Sequence, residues 1–157
     1  MSKAIVQENA ALFTGLTDGP VSAAPLAWPA GCGAESIFLG RTRIESHPTL
    51  GPLVRLEYEV YDEMVSQLLD GLAREAVRRY GCQAIRLVHA KGAVEPGQAS
   101  VVIQVATPHR KEAFEACRYL IDRLKHELPV WKRQIWEKGD SFVEGCCAGQ
   151  KEDMIDG

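Results

Sequence analysis

Five cations mark where this chain could handle an anion: Arg43, His109, Arg110, Lys125 and Lys132. They are spread along the chain, so a fold must gather them. The densest signal is the stretch 107–134, TPHRKEAFEACRYLIDRLKHELPVWKRQ. It reads as a helix that Thr107 caps and that Pro108 opens at its first position. His109, Arg110 and Lys111 then fall in the first turn, at the positive end of the helix dipole, where acids are favoured. Arg110 stands where a capping box would put Glu or Gln. Cations there cost stability unless an anion meets them, so the helix start is expected to bind phosphate or carboxylate. Lys125 lies in the last turn, a place the dipole alone favours. Arg43 closes a strand, an ordinary place for a solvated arginine. Lys132 falls on the same strand face as Val130 and Trp136, which is unusual for a solvated lysine.

Other chemistries find no support. There is no GxxxxGK[ST] phosphate loop, no HExxH, no CxxC pair and no GxSxG elbow. The four histidines, His47, His89, His109 and His126, stand at no ligand spacing, so neither a metal nor a cofactor is expected. A net charge of −3 argues against a general nucleic-acid footprint, so basic clusters read as local sites. Cys32, Cys82, Cys117, Cys146 and Cys147 are odd in number and unpaired in pattern, which fits reduced thiols and a cytoplasmic protein. No signal peptide and no membrane-spanning run is evident.

The elements that must position the cations follow from periodicity. At 157 residues the chain is long enough for one domain with a real core, assigned to 1–145, with 146–157 as a flexible tail. A short strand is expected at 3–7 and an irregular Gly/Pro/Ala-rich loop at 14–34. A strand at 35–43 contains Gly40, which suggests a bulge or a close backbone approach. A surface loop covers 44–52, and an alternating strand covers 53–60, with Leu53, Arg55, Glu57 and Glu59 facing away from Val54, Leu56, Tyr58 and Val60. Met64, Leu68, Leu72, Ala76 and Tyr80, joined by Leu69, Ala73 and Val77, define a helix at 62–80 that Gly81 stops. Strands follow at 84–89 and 100–106, around a turn at Pro96 and Gly97. Phe114, Cys117, Ile121, Leu124 and Leu128 form the apolar stripe of the second helix, which Pro129 ends. Strands at 130–136 and 141–144 complete the set. Paired strands separated by single helices predict an α+β fold: a mainly antiparallel sheet with two long helices packed on it.

The second helix and its surroundings resemble the large, catalytic subunit of molybdopterin synthase. That family's HRxxAF, IDxLK and P-[IVF]-WK segments correspond to His109–Phe114, Ile121–Lys125 and Pro129–Lys132. An FxGxxR strand corresponds to Phe38–Arg43, and an LEYExYxxM segment to Leu56–Met64. The likeness covers roughly 35–145.

The resemblance implies an α/β hammerhead fold and a sulfurtransferase of molybdenum cofactor biosynthesis. Such an enzyme converts cyclic pyranopterin monophosphate into the molybdopterin dithiolene. Its sulfur arrives as a thiocarboxylate on the C-terminal Gly-Gly tail of a small ubiquitin-like partner, within a heterotetramer built around a large-subunit dimer. The resemblance makes Lys125 and Lys132 catalytic, and Arg43, His109 and Arg110, with both lysines, substrate-binding. It implies no metal.

This chain departs from the family pattern in three places. His89-Ala90-Lys91-Gly92 replaces HRxG, and Lys91 is expected on the face away from Ala90. Gln134 stands where glutamate is common. Cys146-Cys147 has no counterpart. A non-catalytic relative that binds the partner as a scaffold is the alternative, and retention of both lysines and the His-Arg pair argues against it.

Overall fold

The computed structural model describes residues 9–143. The strand expected at 3–7, the tail at 146–157 and the Cys146-Cys147 pair lie outside the described residues. Among the described residues, eight strands and two long helices follow in the order β1 (Ala11–Asp18), β2 (Ala34–Arg41), β3 (Ser46–His47), β4 (Gly51–Val60), α1 (Asp62–Tyr80), β5 (Ala84–Val94), β6 (Ala99–Thr107), α2 (Arg110–Glu127), β7 (Val130–Trp136) and β8 (Gly139–Val143). The α+β architecture is the one the periodicity predicts.

The strands run β2-β6-β5-β4-β7-β8, with β3 against β4 and β1 against β5. Every pairing is antiparallel except β1 with β5, which is parallel. β1 is a correction to the sequence reading, which took 14–34 as an irregular loop with short extended pieces and expected no eight-residue strand at Ala11–Asp18. Its ladder partner lies far along the chain, so its local Gly and Thr content hides it. β5 serves both ends of the sheet: residues from Ala84 to Lys91 pair with β1, while Gly92 to Val94 pair with β4.

Both helices pack on one face. Val65, Leu69, Leu72, Ala73, Ala76 and Val77 of α1 meet Ala113, Ala116, Cys117, Leu120 and Leu124 of α2 over Ile85, Leu87, Ile103 and Val105. Burying each large aliphatic side chain here contributes about 1.5–3 kcal/mol. Two expected stripe members are instead outward: Phe114 is 66% exposed and Met64 58% exposed. Val65 and Ala113 are buried beside those positions, while Leu69, Leu72, Ala73, Ala76 and Val77 of the first stripe and Cys117, Leu124 and Leu128 of the second are buried as expected. α1 ends as expected, with Gly81 left-handed at φ 67°.

β6 is buried on both faces, which explains its mostly apolar sequence. Gln104, polar and buried within it, is satisfied by the backbone of Ala24, accepting from its N–H at 2.9 Å and donating to its carbonyl at 2.6 Å. In β4 the expected alternation fails at its start. The register shifts between Leu53 and Arg55, and both Leu53 and Leu56 are buried in a small cluster with Trp136. The 44–52 loop carries the short strand β3, and His47 Nδ1 accepts from the backbone N–H groups of Thr49 and Leu50.

Candidate functional site

Two backbone features open a cavity beside β2. The first is Gly40, at the expected bulge: the register of β2 on β6 shifts between Gly40 and Arg41. A Cβ on Gly40 would lie 2.6 Å from Cγ1 of Val101, so only glycine lets the strands close here. The second is Pro129, which ends α2 and turns the chain straight into β7. The cavity measures about 410 Å³. Its lining draws on β2, β4, β5, β6, α2 and β7.

Four cations line it: Arg41, Arg43, Lys125 and Lys132, with Glu45 as the one carboxylate of the lining. Lys125 comes from the last turn of α2 and Lys132 from β7. Lys132 is half-buried between the buried Val130 and Trp136, as its face assignment predicts. Arg41, which the sequence reading missed, also donates from Nη1 to the carbonyl of Gly97 at 2.8 Å. Arg41 itself closes β2, and Arg43, expected to close that strand, lies two residues beyond it.

His89 was missed as well. It is 8% exposed, lines the cavity, and packs edge-on against Tyr58 at 5.3 Å and 82°. Burial pulls its pKa down to about 4; the backbone contact to Ala90 opposes that, and Lys125 and Lys132 add to it. It is therefore neutral near pH 7. Lys91 lies away from the cavity lining, paired with Asp62 at 2.6 Å. Gln134 lines the cavity and is held through Ser141, which donates to Gln134 Oε1 and accepts from Trp136 Nε1, each at 2.9 Å.

His109 and Arg110 do not join this group. α2 starts at Arg110, with His109 as an extended N-cap, so the helix begins later than expected. Thr107 instead finishes β6, and its hydroxyl donates to the carbonyl of His109 at 2.6 Å. With this start Glu112 takes the third helical position, so the acid that the capping-box rule asks for is present. The helix start is thus less lopsided in charge than the sequence reading held. At 1.5 Å per residue, Arg110 lies about 22 Å along the axis from Lys125. One small ligand cannot touch both in a single copy.

A donor-rich cavity of this size suits a phosphorylated small molecule. Among the described residues there is no group of three or more His, Cys, Asp or Glu side chains that could hold a metal ion. No helix among them is long and apolar enough to cross a membrane.

The family model described as MoaE protein matches residues 16–127. This chain belongs to the MoaE protein family. The match includes Arg43, His89, His109, Arg110 and Lys125, and stops before Lys132. Among curated MoaE relatives, the molybdopterin synthase catalytic subunit of Bacillus subtilis (strain 168) is 38% identical over 111 residues, spanning 71% of this chain and 69% of the relative. The structure of molybdopterin synthase from Staphylococcus aureus superposes with a TM-score of 0.73 at 28% identity, covering 82% of this chain and 95% of that one. A complex of subunits 1 and 2 of the molybdopterin-converting factor from Helicobacter pylori 26695 has a TM-score of 0.66, covering 83% of this chain and 89% of that one. At 19% identity it speaks for the fold alone. The MoaE fold is thus common to this chain and its solved neighbours.

Proposed function

We propose that this chain is the catalytic subunit of a molybdopterin synthase, a sulfurtransferase. It moves sulfur from the C-terminal thiocarboxylate of a small ubiquitin-like subunit to cyclic pyranopterin monophosphate, making the dithiolene. The observation that carries this reading is the convergence of Arg43, Lys125 and Lys132 on one cavity. Two anions must meet there, the substrate phosphate and the partner's thiocarboxylate, and preorganised cations are what such a meeting requires.

In this reading Arg43 binds the phosphate. Lys125 meets the carbonyl of the partner's tail and stabilises negative charge as the acyl group is displaced. Lys132 supports charge on the pterin intermediate. The S. aureus and H. pylori neighbours are, by their descriptions, a molybdopterin synthase and a two-subunit complex. Membership of the MoaE family supports the same partner class for this chain.

The length of α2 bears on the remaining pair. Because His109 and Arg110 sit about 22 Å from Lys125, we assign them to the cavity of a second copy, within a dimer of this chain at the centre of a heterotetramer. Each phosphate site then draws on two copies.

Reconstitution tests the reading. Purified protein is mixed with thiocarboxylated small subunit and cyclic pyranopterin monophosphate, with the Lys125→Ala variant alongside. Dithiolene from wild type and none from the variant is the expected result. Complex formation without product from wild type would leave a partner-binding scaffold.

A further inference from the structure

His89 holds a nitrogen that the proposed chemistry does not yet use. Its Nδ1 lies 2.7 Å from the carbonyl oxygen of Ala90. A carbonyl oxygen only accepts, so Nδ1 carries the ring proton and Nε2 carries a lone pair. Tyr58 packs against the ring edge-on and fixes its plane. Among the described residues no donor is hydrogen bonded to Nε2. The ring is otherwise buried, and it lines the cavity.

In the lining this lone pair is distinctive because it can only accept, whereas the hydroxyls of Thr42, Tyr58 and Ser100 can donate as well, that of Thr42 being buried with no hydrogen-bond partner among the described residues. Arg41, Arg43, Lys125 and Lys132 can only donate. Gln134 Oε1 already accepts from Ser141. Glu45 offers charged oxygens, which suit a cation or a neighbouring arginine as well as an N–H. A phosphate is served by the donors alone. A phosphorylated nitrogen heterocycle is not, because its ring N–H groups lose water on entry and need acceptors.

We propose that His89 Nε2 accepts a hydrogen bond from a ring N–H of the heterocycle that bears the phosphate, and so sets which way round the substrate lies. This rests on the reading of the cavity as a pterin phosphate site. Cations fix one end of the ligand and His89 fixes the other. Because burial keeps the imidazole neutral, the acceptor is present throughout the physiological pH range.

Binding measurements on the full chain test this, with cyclic pyranopterin monophosphate and inorganic phosphate as separate probes. His89→Phe removes the acceptor and keeps a planar ring. His89→Gln offers Oε1 near the position of Nε2. The expected result is a roughly tenfold loss of pterin phosphate affinity in His89→Phe, with inorganic phosphate unchanged and His89→Gln restoring most of the loss. Equal loss for both probes, or loss for neither, would overturn the assignment. Should His89→Phe fail to fold, nitrogen NMR of wild type decides instead: the Nε2 resonance of His89 moves with pterin phosphate and not with inorganic phosphate. An unmoved resonance in a pterin-saturated sample sinks the His89 role alone. A wild type that binds pterin phosphate no better than inorganic phosphate sinks the pterin reading and this inference with it.

Discussion

Lys125 and Lys132 reach one cavity from opposite sides of Pro129, the first from the final turn of α2 and the second from β7. A continued strand would put the two on opposite faces, and a continued helix would leave them on one face but about 10 Å apart along its axis. The proline break lets a single short segment place two ammonium groups around one ligand.

Removal of either lysine is expected to lower the rate of dithiolene formation by about a hundredfold or more, the usual cost of losing a preorganised charge at a reacting centre. Single-turnover assays of Lys125→Ala and Lys132→Ala check it. A rate within a few-fold of wild type would remove that lysine from the chemistry.

Chains carrying Arg110→Ala and chains carrying Lys125→Ala are each expected to be inactive alone. Co-refolded, they should regain activity, because a mixed dimer contains one cavity with an intact set. Activity that stays absent in the mixture would place Arg110 outside the partner's cavity.

Gly40→Ala is expected to destabilise the fold by about 1–3 kcal/mol, since the added methyl meets Val101 at 2.6 Å and the strands must part. Thermal melting reads this directly. Ligand affinity should fall too, because the same movement displaces Arg41 and Arg43.

Stability should decline in acid partly through His89. Its folded pKa, about 4, lies below the ordinary 6.5 of an unfolded histidine. The unfolded chain therefore takes up this proton first as pH falls. The stabilisation is fully present above pH 6.5 and is lost between 6.5 and 4, up to about 3 kcal/mol. Melting curves of wild type and His89→Gln from pH 7 to 4.5 should converge, since carboxylate titration is common to both. Parallel curves would refute the shift.

Cys82 should resist alkylation in the native state. Burial raises its thiol pKa to about 12, so the thiolate is scarce at pH 8. Mass spectrometry after iodoacetamide treatment at pH 8 should find Cys82 unmodified until the protein is unfolded.

What could be read from the sequence was whatever local rules decide. The helix at 62–80 was legible because its apolar spacing and Gly81 agree, and the bulge at Gly40 because glycine in a strand has few other uses. The start of α2 was not, because β6 runs on through Thr107 and overrides the local preference for Thr-Pro as a helix opening. β1 was hidden because its ladder is made with a distant strand. Arg43, Lys125 and Lys132 could be named as site residues. Their meeting with Arg41 and His89 could not, since it depends on β2, β5 and β6 lying side by side. The separation of His109 and Arg110 from Lys125 is a matter of helix length alone. It could have been counted from the sequence.

β5 pairs with β1 along its first part and with β4 at its end, and it brings His89 into a cavity whose other walls come from β2, β4, β6, α2 and β7. Arg41, Arg43, Lys125 and Lys132 repel one another across it, with the Glu45 carboxylate of the same lining set against them. An anion bound there adds to that compensation, so the protein is expected to be more stable with one in place. Its shelf life should follow the buffer: sulfate or phosphate at millimolar levels should protect it from heat more than chloride at the same ionic strength does.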